Sequence, residues 1–241
     1  MLTYIKITAQ NNPYRGGIEI KSEANVDTLS NVTKIRIMRK VTGGSWNEIQ
    51  SIDISNVDDL NFSLLDISTT SGKSYSYSFD VMNGTSIVEN GLTDYIPFSF
   101  EGLFVGNFDK QYVAGSNFSV DSVQRNTSKT YVTTLSGKYP YAVSNANSNY
   151  TTGTASGLFL ELTDDKRKFV PDYNHSYSNS IVDFLTDGTY KILKTHDGQA
   201  WFVSIDQNVS LPSNEHYTGM NAIQFNWTEI GDMPVFGMVV D

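Results

Sequence analysis

Ser180-Ile-Val-Asp-Phe-Leu-Thr-Asp-Gly188, the Tyr190–Thr195 segment after it and the Gln199–Asp206 run decide the fold of this chain. The first reads as a short helix over about 180–187: Ser180 caps the first orphan amides, with Asp183 three residues on. Ile181, Phe184 and Leu185 share one face, and Gly188 supplies a left-handed exit. The next two segments read as strands, and Asp197-Gly198 between them fits a tight turn needing positive φ. Such a helix and hairpin cannot bury their apolar face alone. The natural partner is the closing strand, where Ile223, Phe225 and Trp227 point one way and Gln224, Asn226 and Thr228 the other. Lys191 and Lys194 are expected on that second, polar face.

Working outward, 241 residues suffice for one large β domain or two ordinary ones, and 39% hydrophobic with 12% aromatic residues supports a real core. Cysteine is absent, which removes disulfides, thiolate metal sites and a cysteine nucleophile. The net charge of −9 divides into −3 over residues 1–95 (8 basic, 11 acidic) and −6 over the rest (9 basic, 15 acidic). That balance opposes a nucleic-acid surface, which needs clustered Lys and Arg. The one basic run, Lys166-Arg167-Lys168, follows Asp164-Asp165 and reads as a solvated loop. The amino terminus has no basic segment followed by an apolar core, and no apolar run is long enough to cross a bilayer. A product made in the cytoplasm without a signal peptide is expected. Asn-x-Ser/Thr triplets, as at Asn31, Asn61, Asn83, Asn117, Asn126, Asn149, Asn208 and Asn226, are then chance occurrences in an Asn-, Ser- and Thr-rich chain.

Taken in order, the chain is β-patterned from the start. Leu2–Thr8 alternates, Asn11–Gly17 breaks the pattern, and Ile18–Lys21 resumes it. Thr33–Val41 and Trp46–Ile54 flank Thr42-Gly-Gly-Ser45 as a hairpin. Asn61–Leu65 is a short strand, and Ser74–Met82 places Tyr75, Tyr77, Phe79 and Val81 on one face before Asn83-Gly84 turns into Ser86–Glu89. This is the pattern of a small sandwich. Pro97 marks the expected boundary, giving domains 1–95 and 96–241. Beyond it, Glu101–Val105 is a strand. Lys110–Tyr112, Phe118–Val120 and Lys129–Val132 are shorter ones around Arg125-Asn126. Gly137–Val143 and Asn149–Leu160 flank an Asn- and Ser-rich loop, and Gly153 and Gly157 relieve crowding or form bulges. Residues 163–177 read as an exposed loop.

Arg36-Ile-Met-Arg39, Gly43-Gly-Ser-Trp46 and Tyr75-Ser-Tyr-Ser-Phe-Asp-Val81 resemble the C–C′ hairpin and F strand of a fibronectin type III or immunoglobulin-like module, a likeness covering roughly residues 15–94. From Gly137 onward, Lys138-Tyr-Pro, Asn149–Gly157, Phe184–Lys194, Asp197–Val203 and Phe225–Asp232 come in an order that resembles structural tail proteins of phages of Gram-positive bacteria. The resemblance implies a mainly β chain: an amino-terminal immunoglobulin/fibronectin III-like sandwich, then a tail-tube or distal-tail-like β-sandwich with one flanking helix. It also implies a location in the virion tail, partners that are copies of itself and other tail proteins, and a closed ring, sixfold by resemblance, around a channel that DNA only passes through. The acidic loops would face the lumen. No long oligomerisation arm is legible in the sequence.

Chemistry is sparse. His175, His196 and His216 lie in separate loops, without an HExxH spacing. The acid pairs Asp58-Asp59 and Asp164-Asp165 sit in polar turns, and Glu161 and Glu229 are nominal glycosidase candidates only if a cleft gathers them. There is no Gly-x-Ser-x-Gly elbow, P-loop or dinucleotide fingerprint. No catalytic, cofactor-binding or metal-ligating residue is therefore assigned. Trp46, Trp201 and Trp227 would serve as core residues or as glycan-stacking platforms, and their alternating strands favour core. The Asn- and Tyr-rich stretch 139–151 suits contacts with sugars or with neighbouring subunits. The expected function is a non-enzymatic tail component, the alternative a carbohydrate-binding tail-tip adhesin that recognises a host surface glycan.

Overall fold

A computed structural model describes residues 3–29, 31–107, 109–135, 137–161, 168, 170, 175–206, 208–210, 222–234 and 238–239. In chain order the strands are β1 (Ile5–Asn12), β2 (Gly17–Ala24), β3 (Lys34–Val41), β4 (Trp46–Asp53), β5 (Phe62–Asp66), β6 (Lys73–Asn83), β7 (Ser86–Leu92), β8 (Ile96–Phe98), β9 (Leu103–Gly106), β10 (Gln111–Ala114), β11 (Ser116–Val132) and β12 (Tyr141–Leu158). Helix α1 (Ser176–Thr186) follows, then β13 (Lys191–Thr195), β14 (Ala200–Ile205), β15 (Ala222–Gly231) and β16 (Met238–Val239). The described chain is mainly β, with antiparallel sheets and a single α-helix.

Two compact units emerge: Met1–Val113 with Ile192–Ala200 and Met233–Asp241, and Ala114–Lys191 with Trp201–Asp232. The division does not fall at Tyr95/Ile96 as Pro97 suggested. β8 pairs with β6, Tyr75 opposite Ile96 and Lys73 opposite Phe98, and Phe98 and Phe100 are buried in the first unit.

The first unit holds the antiparallel order β1-β2-β5-β16, a second sheet β4-β3-β6-β7 with β8 on β6, and β9 between β10 and β13. Alternation on β3 sends Ile35, Ile37 and Arg39 inward, and Tyr75, Tyr77, Phe79 and Val81 of β6 are all buried, as their spacing required. Arg39 on β3 donates to both carboxylate oxygens of Asp66 at the end of β5, at 2.9 and 3.0 Å, and the Tyr77 hydroxyl donates to Asp66 Oδ2 at 2.9 Å. This buried bridge joins the two sheets, and every charge in it has a partner. Burial and the adjoining Asp66 carboxylate push the Tyr77 phenol well above its ordinary range.

In the second unit the order is β14-β15-β12-β11. Ile223, Phe225 and Trp227 on β15 are buried while Gln224 and Asn226 face out, as read from the sequence. Trp227 stacks against Trp201 of β14 with centroids 4.8 Å apart, and Gly153 of β12 lies under it: a Cβ there would stand 2.7 Å from Trp227 Cζ2. Gly153 is thus a close-approach glycine.

Several expectations need correction. Helix α1 starts at Ser176, one turn early, because Ile181, Phe184 and Leu185 are joined in the interior by Ser178. Ser180 sits inside the helix and donates from Oγ to the Tyr177 carbonyl at 2.7 Å. The N-cap is His175, at φ 58°, and Gly188 at φ 78° supplies the expected left-handed exit. Lys191 and Lys194 lie on no polar face: both are fully buried. Trp46 is 37% exposed, with the Lys40 ammonium 5.8 Å from its ring centroid. The short strands expected between 118 and 132 form one strand, and the Asn- and Ser-rich stretch expected as a loop lies within β12. The loop expected over 163–177 falls largely outside the described residues.

Candidate functional site

The most distinctive feature is the ribbon of β11 and β12. Between them the strands carry Val, Thr and Tyr, which suit a pleated surface, interleaved with Ser and Asn. They pair from Ser116↔Leu158 out to Val132↔Tyr141. β15 supports β12 over Thr152–Leu158, and among the described residues no third strand pairs with the outer part of the ribbon. Eleven residues of β12, 141–151, extend beyond that support, on the order of 30 Å at strand rise. Register shifts interrupt the ladder at Ser116/Ser119, Asp121/Gln124 and Thr127/Lys129, and Asn117 and Ser122 at the first two have positive φ. At the third, residues 145–148 bulge opposite Ser128, so a strand reads locally like a loop.

The outer ribbon is an arm with an apolar tip. Tyr131 and Tyr141 are each 67% exposed, Tyr139 is 72% exposed and Leu135 is wholly exposed. Tyr131 stands opposite Ala142 and Tyr141 opposite Val132, so the rings lie on both faces of the ribbon, and large apolar side chains held in water suit an interaction surface. β11 also ends its sheet order, presenting its outer edge to any strand that would add there. Charge sets the arm apart as well. Residues 122–150 carry Arg125, Lys129 and Lys138 and no acid, whereas the remaining chain carries 14 basic and 26 acidic residues.

At the root of the arm lies an open cleft of about 530 Å³, lined by Arg125, Ser148, Asn149, Tyr150 and residues 228–232 of β15 and just beyond. The Arg125 Nε donates to Asn149 Oδ1 at 2.6 Å. Across the sheet the Thr151 amide donates to Glu229 Oε2 at 2.7 Å, fixing that carboxylate at the cleft wall. Among the described residues no ion pair joins Arg125 to Glu229 or Asp232, so the cleft holds donors and acceptors side by side; the Tyr150 side chain, opposite Asn126 in the ladder, lies on the other face of the ribbon from Arg125 and Asn149.

The strongest buried electrostatics lie elsewhere, in the first unit. The Lys194 ammonium donates to the backbone carbonyls of Gly16, Ile67 and Thr69 at 2.6, 2.7 and 2.8 Å, which uses all three of its protons. The ring of Phe104 lies 4.4 Å from it and those of Phe98 and Phe100 at 5.3 and 5.7 Å. Burial pulls its pKa down to about 7, Asp66 opposing and Arg39 assisting that shift. No solvent reaches the nitrogen, so this is a structural clamp on two turns. Lys191 has a similar setting in the second unit, donating to Asp187 at 2.6 Å with its nitrogen 4.2 Å from the Phe184 ring centroid.

Of the candidates read from sequence, Glu229 lines the cleft and Glu161 does not. Asp59 accepts from the Ser55 and Asn56 amides, which lower its pKa and make it a turn residue; Asp164-Asp165 lies outside the described residues. His175 precedes α1, His196 stands in the turn after β13, and His216 lies outside the described residues. Among the described residues no group of three or more His, Cys, Asp or Glu is placed to hold a metal ion. Trp201 and Trp227 are core residues, which removes them as glycan platforms. No helix among the described residues is long and apolar enough to cross a membrane. The chain matches no known family and none of the curated proteins. Arg125 was not singled out from sequence as a cleft residue, since only the cross-strand register sets it beside Asn149 and Thr151.

Proposed function

We propose that this chain is a non-enzymatic structural component of a phage tail or its distal tip, assembling with copies of itself in a ring around the tail channel. The observation that carries this reading is the arm of β11 and β12. A two-stranded ribbon with an apolar tip and an open edge is costly to leave in water, and it gains most by lying on a neighbour. The basic arm on an otherwise acidic chain favours another copy of the same chain as that neighbour. A head-to-tail contact of this kind closes into a ring when the rotation per subunit divides the circle. The order of motifs from Gly137 onward supports a tail-tube or distal-tail-like second sandwich, and the Arg36–Trp46 and Tyr75–Val81 patterns support an immunoglobulin or fibronectin III-like first unit. Other tail proteins are the further partners, and DNA meets the ring only in passage.

A reconstruction of the virion tests the proposal. It should place several copies of the chain around the tail axis, each arm lying against the next subunit. A solitary peripheral spike, with no copy touching another, would reject it.

A further inference from the structure

We infer that the arm of one copy docks on the β7 edge of a second copy, at a patch formed by Ile87, Val88, Leu92 and Tyr95. The inference rests on the assembly reading and names the surface that receives the arm. β7 closes one end of the order β4-β3-β6-β7, so its far edge pairs with no strand among the described residues. Leu92 stands opposite Ser78 and Ile87 opposite Met82, which puts both on the face turned away from the buried Tyr77, Phe79 and Val81. Val88, between the pairs Met82↔Ile87 and Val81↔Glu89, is the extra residue of a bulge. Leu92 is 67% exposed, Ile87 50%, Tyr95 48% and Val88 47%. Large apolar side chains gathered in water along an open edge mark an interaction surface. The edge strand β4 exposes Trp46 alone to a comparable degree, and β1 and β10 expose no large apolar side chain so far.

Charge selects the occupant. Residues 86–95 carry Glu89 and Asp94 and no base, whereas residues 122–150 of the arm carry Arg125, Lys129 and Lys138 and no acid. Among the described residues none of these five groups takes part in an ion pair. The bases of β3 on the same face as Leu92 are already engaged: Lys34 with Asp53, Arg36 with Asp80, and Lys40 with the ring of Trp46. Two β7 edges brought together would set like charges against each other, and so would two arms. An arm against β7 sets opposite charges together and gives the exposed Tyr131, Leu135, Tyr139 and Tyr141 an apolar surface to cover. Two different surfaces of one chain then meet head to tail, the kind of contact that a ring requires.

Complementation between two variants tests this by sedimentation. Leu92→Lys/Asp94→Lys removes an apolar side chain and reverses the charge of the patch; both positions are exposed, so the melting transition should not change. The second variant has residues 129–144 replaced by an Asn-Gly turn and keeps the patch. Each alone should associate at least about tenfold more weakly than the wild type. An equimolar mixture should form a one-to-one heterodimer, because the arm of the first variant finds an intact β7 on the second. If Leu92→Lys/Asp94→Lys associates at wild-type strength, the arms meet one another or dock elsewhere, and the docking surface is overturned while arm-mediated assembly stands. A mixture of two weakly associating variants that yields no heterodimer has the same consequence. A shortened variant that associates as well as the wild type, or a wild type that never associates, would overturn the docking surface together with the reading it rests on.

Discussion

Lys194 shows how one side chain can be misread from its charge and still organise a fold. Its charge assigns it to a polar face, yet its stem and ammonium are wholly buried beneath three phenylalanine rings, with three carbonyls as acceptors. Its partners come from residues 16, 67 and 69, more than 120 positions away in sequence, and no local pattern could have named them. Gly16 belongs to the same device, since at φ +61° it lies so close to the Phe104 ring that any Cβ would collide with it. Replacing Lys194 by Met leaves three buried carbonyls without a donor. Each such group costs about 1–3 kcal/mol, so denaturant unfolding at pH 7 should show a loss of about 3 kcal/mol or more. The pH dependence has a definite sign. With a folded pKa of about 7 and an ordinary unfolded value of 10.5, the unfolded chain binds more protons between those limits, so the contribution of Lys194 to stability rises with pH across that window and is flat below it. The difference in unfolding free energy between the wild type and Lys194→Met should therefore climb between pH 7 and 9, by at most about 1.4 kcal/mol per pH unit. A difference that stays level would mean that the three carbonyls keep the folded pKa near its ordinary value.

At the scale of elements, the helix and closing strand were legible because each carries one uninterrupted apolar face. Ile181, Phe184 and Leu185 are buried, as are Ile223, Phe225 and Trp227. The first turn of α1, Ser-Tyr-Ser-Asn, has no such face, so its helical state could not be read. Phe184, 4% exposed, is predicted to cost about 3–5 kcal/mol when replaced by Ala, measured by denaturant unfolding. A loss below about 1 kcal/mol would show that this face of α1 contributes little to the core. The arm failed to appear in the sequence for the opposite reason. Its strands bury almost nothing, so the alternation that reveals a half-buried strand is absent, and a bulge over residues 145–148 looks like a loop. Of the candidate cleft, Glu229 and the Tyr- and Asn-rich stretch were visible from sequence. The contribution of Arg125 follows from strand register, which composition does not encode.

For the whole molecule, charge and exposure lead to the same conclusion. An acidic chain that carries a basic, apolar-tipped arm has complementary surfaces within one sequence, the minimum needed for copies to associate without a second component. The most direct test of the central claim is sedimentation of the full chain from about 1 to about 500 µM, the range in which weak subunit contacts become populated. It should be compared with a variant in which residues 129–144 are replaced by an Asn-Gly turn. The full chain should shift with concentration from 26.8 kDa towards a discrete multiple, while the shortened variant stays a single subunit. A full chain that remains at 26.8 kDa throughout, or a shortened variant that associates equally well, would contradict arm-mediated assembly.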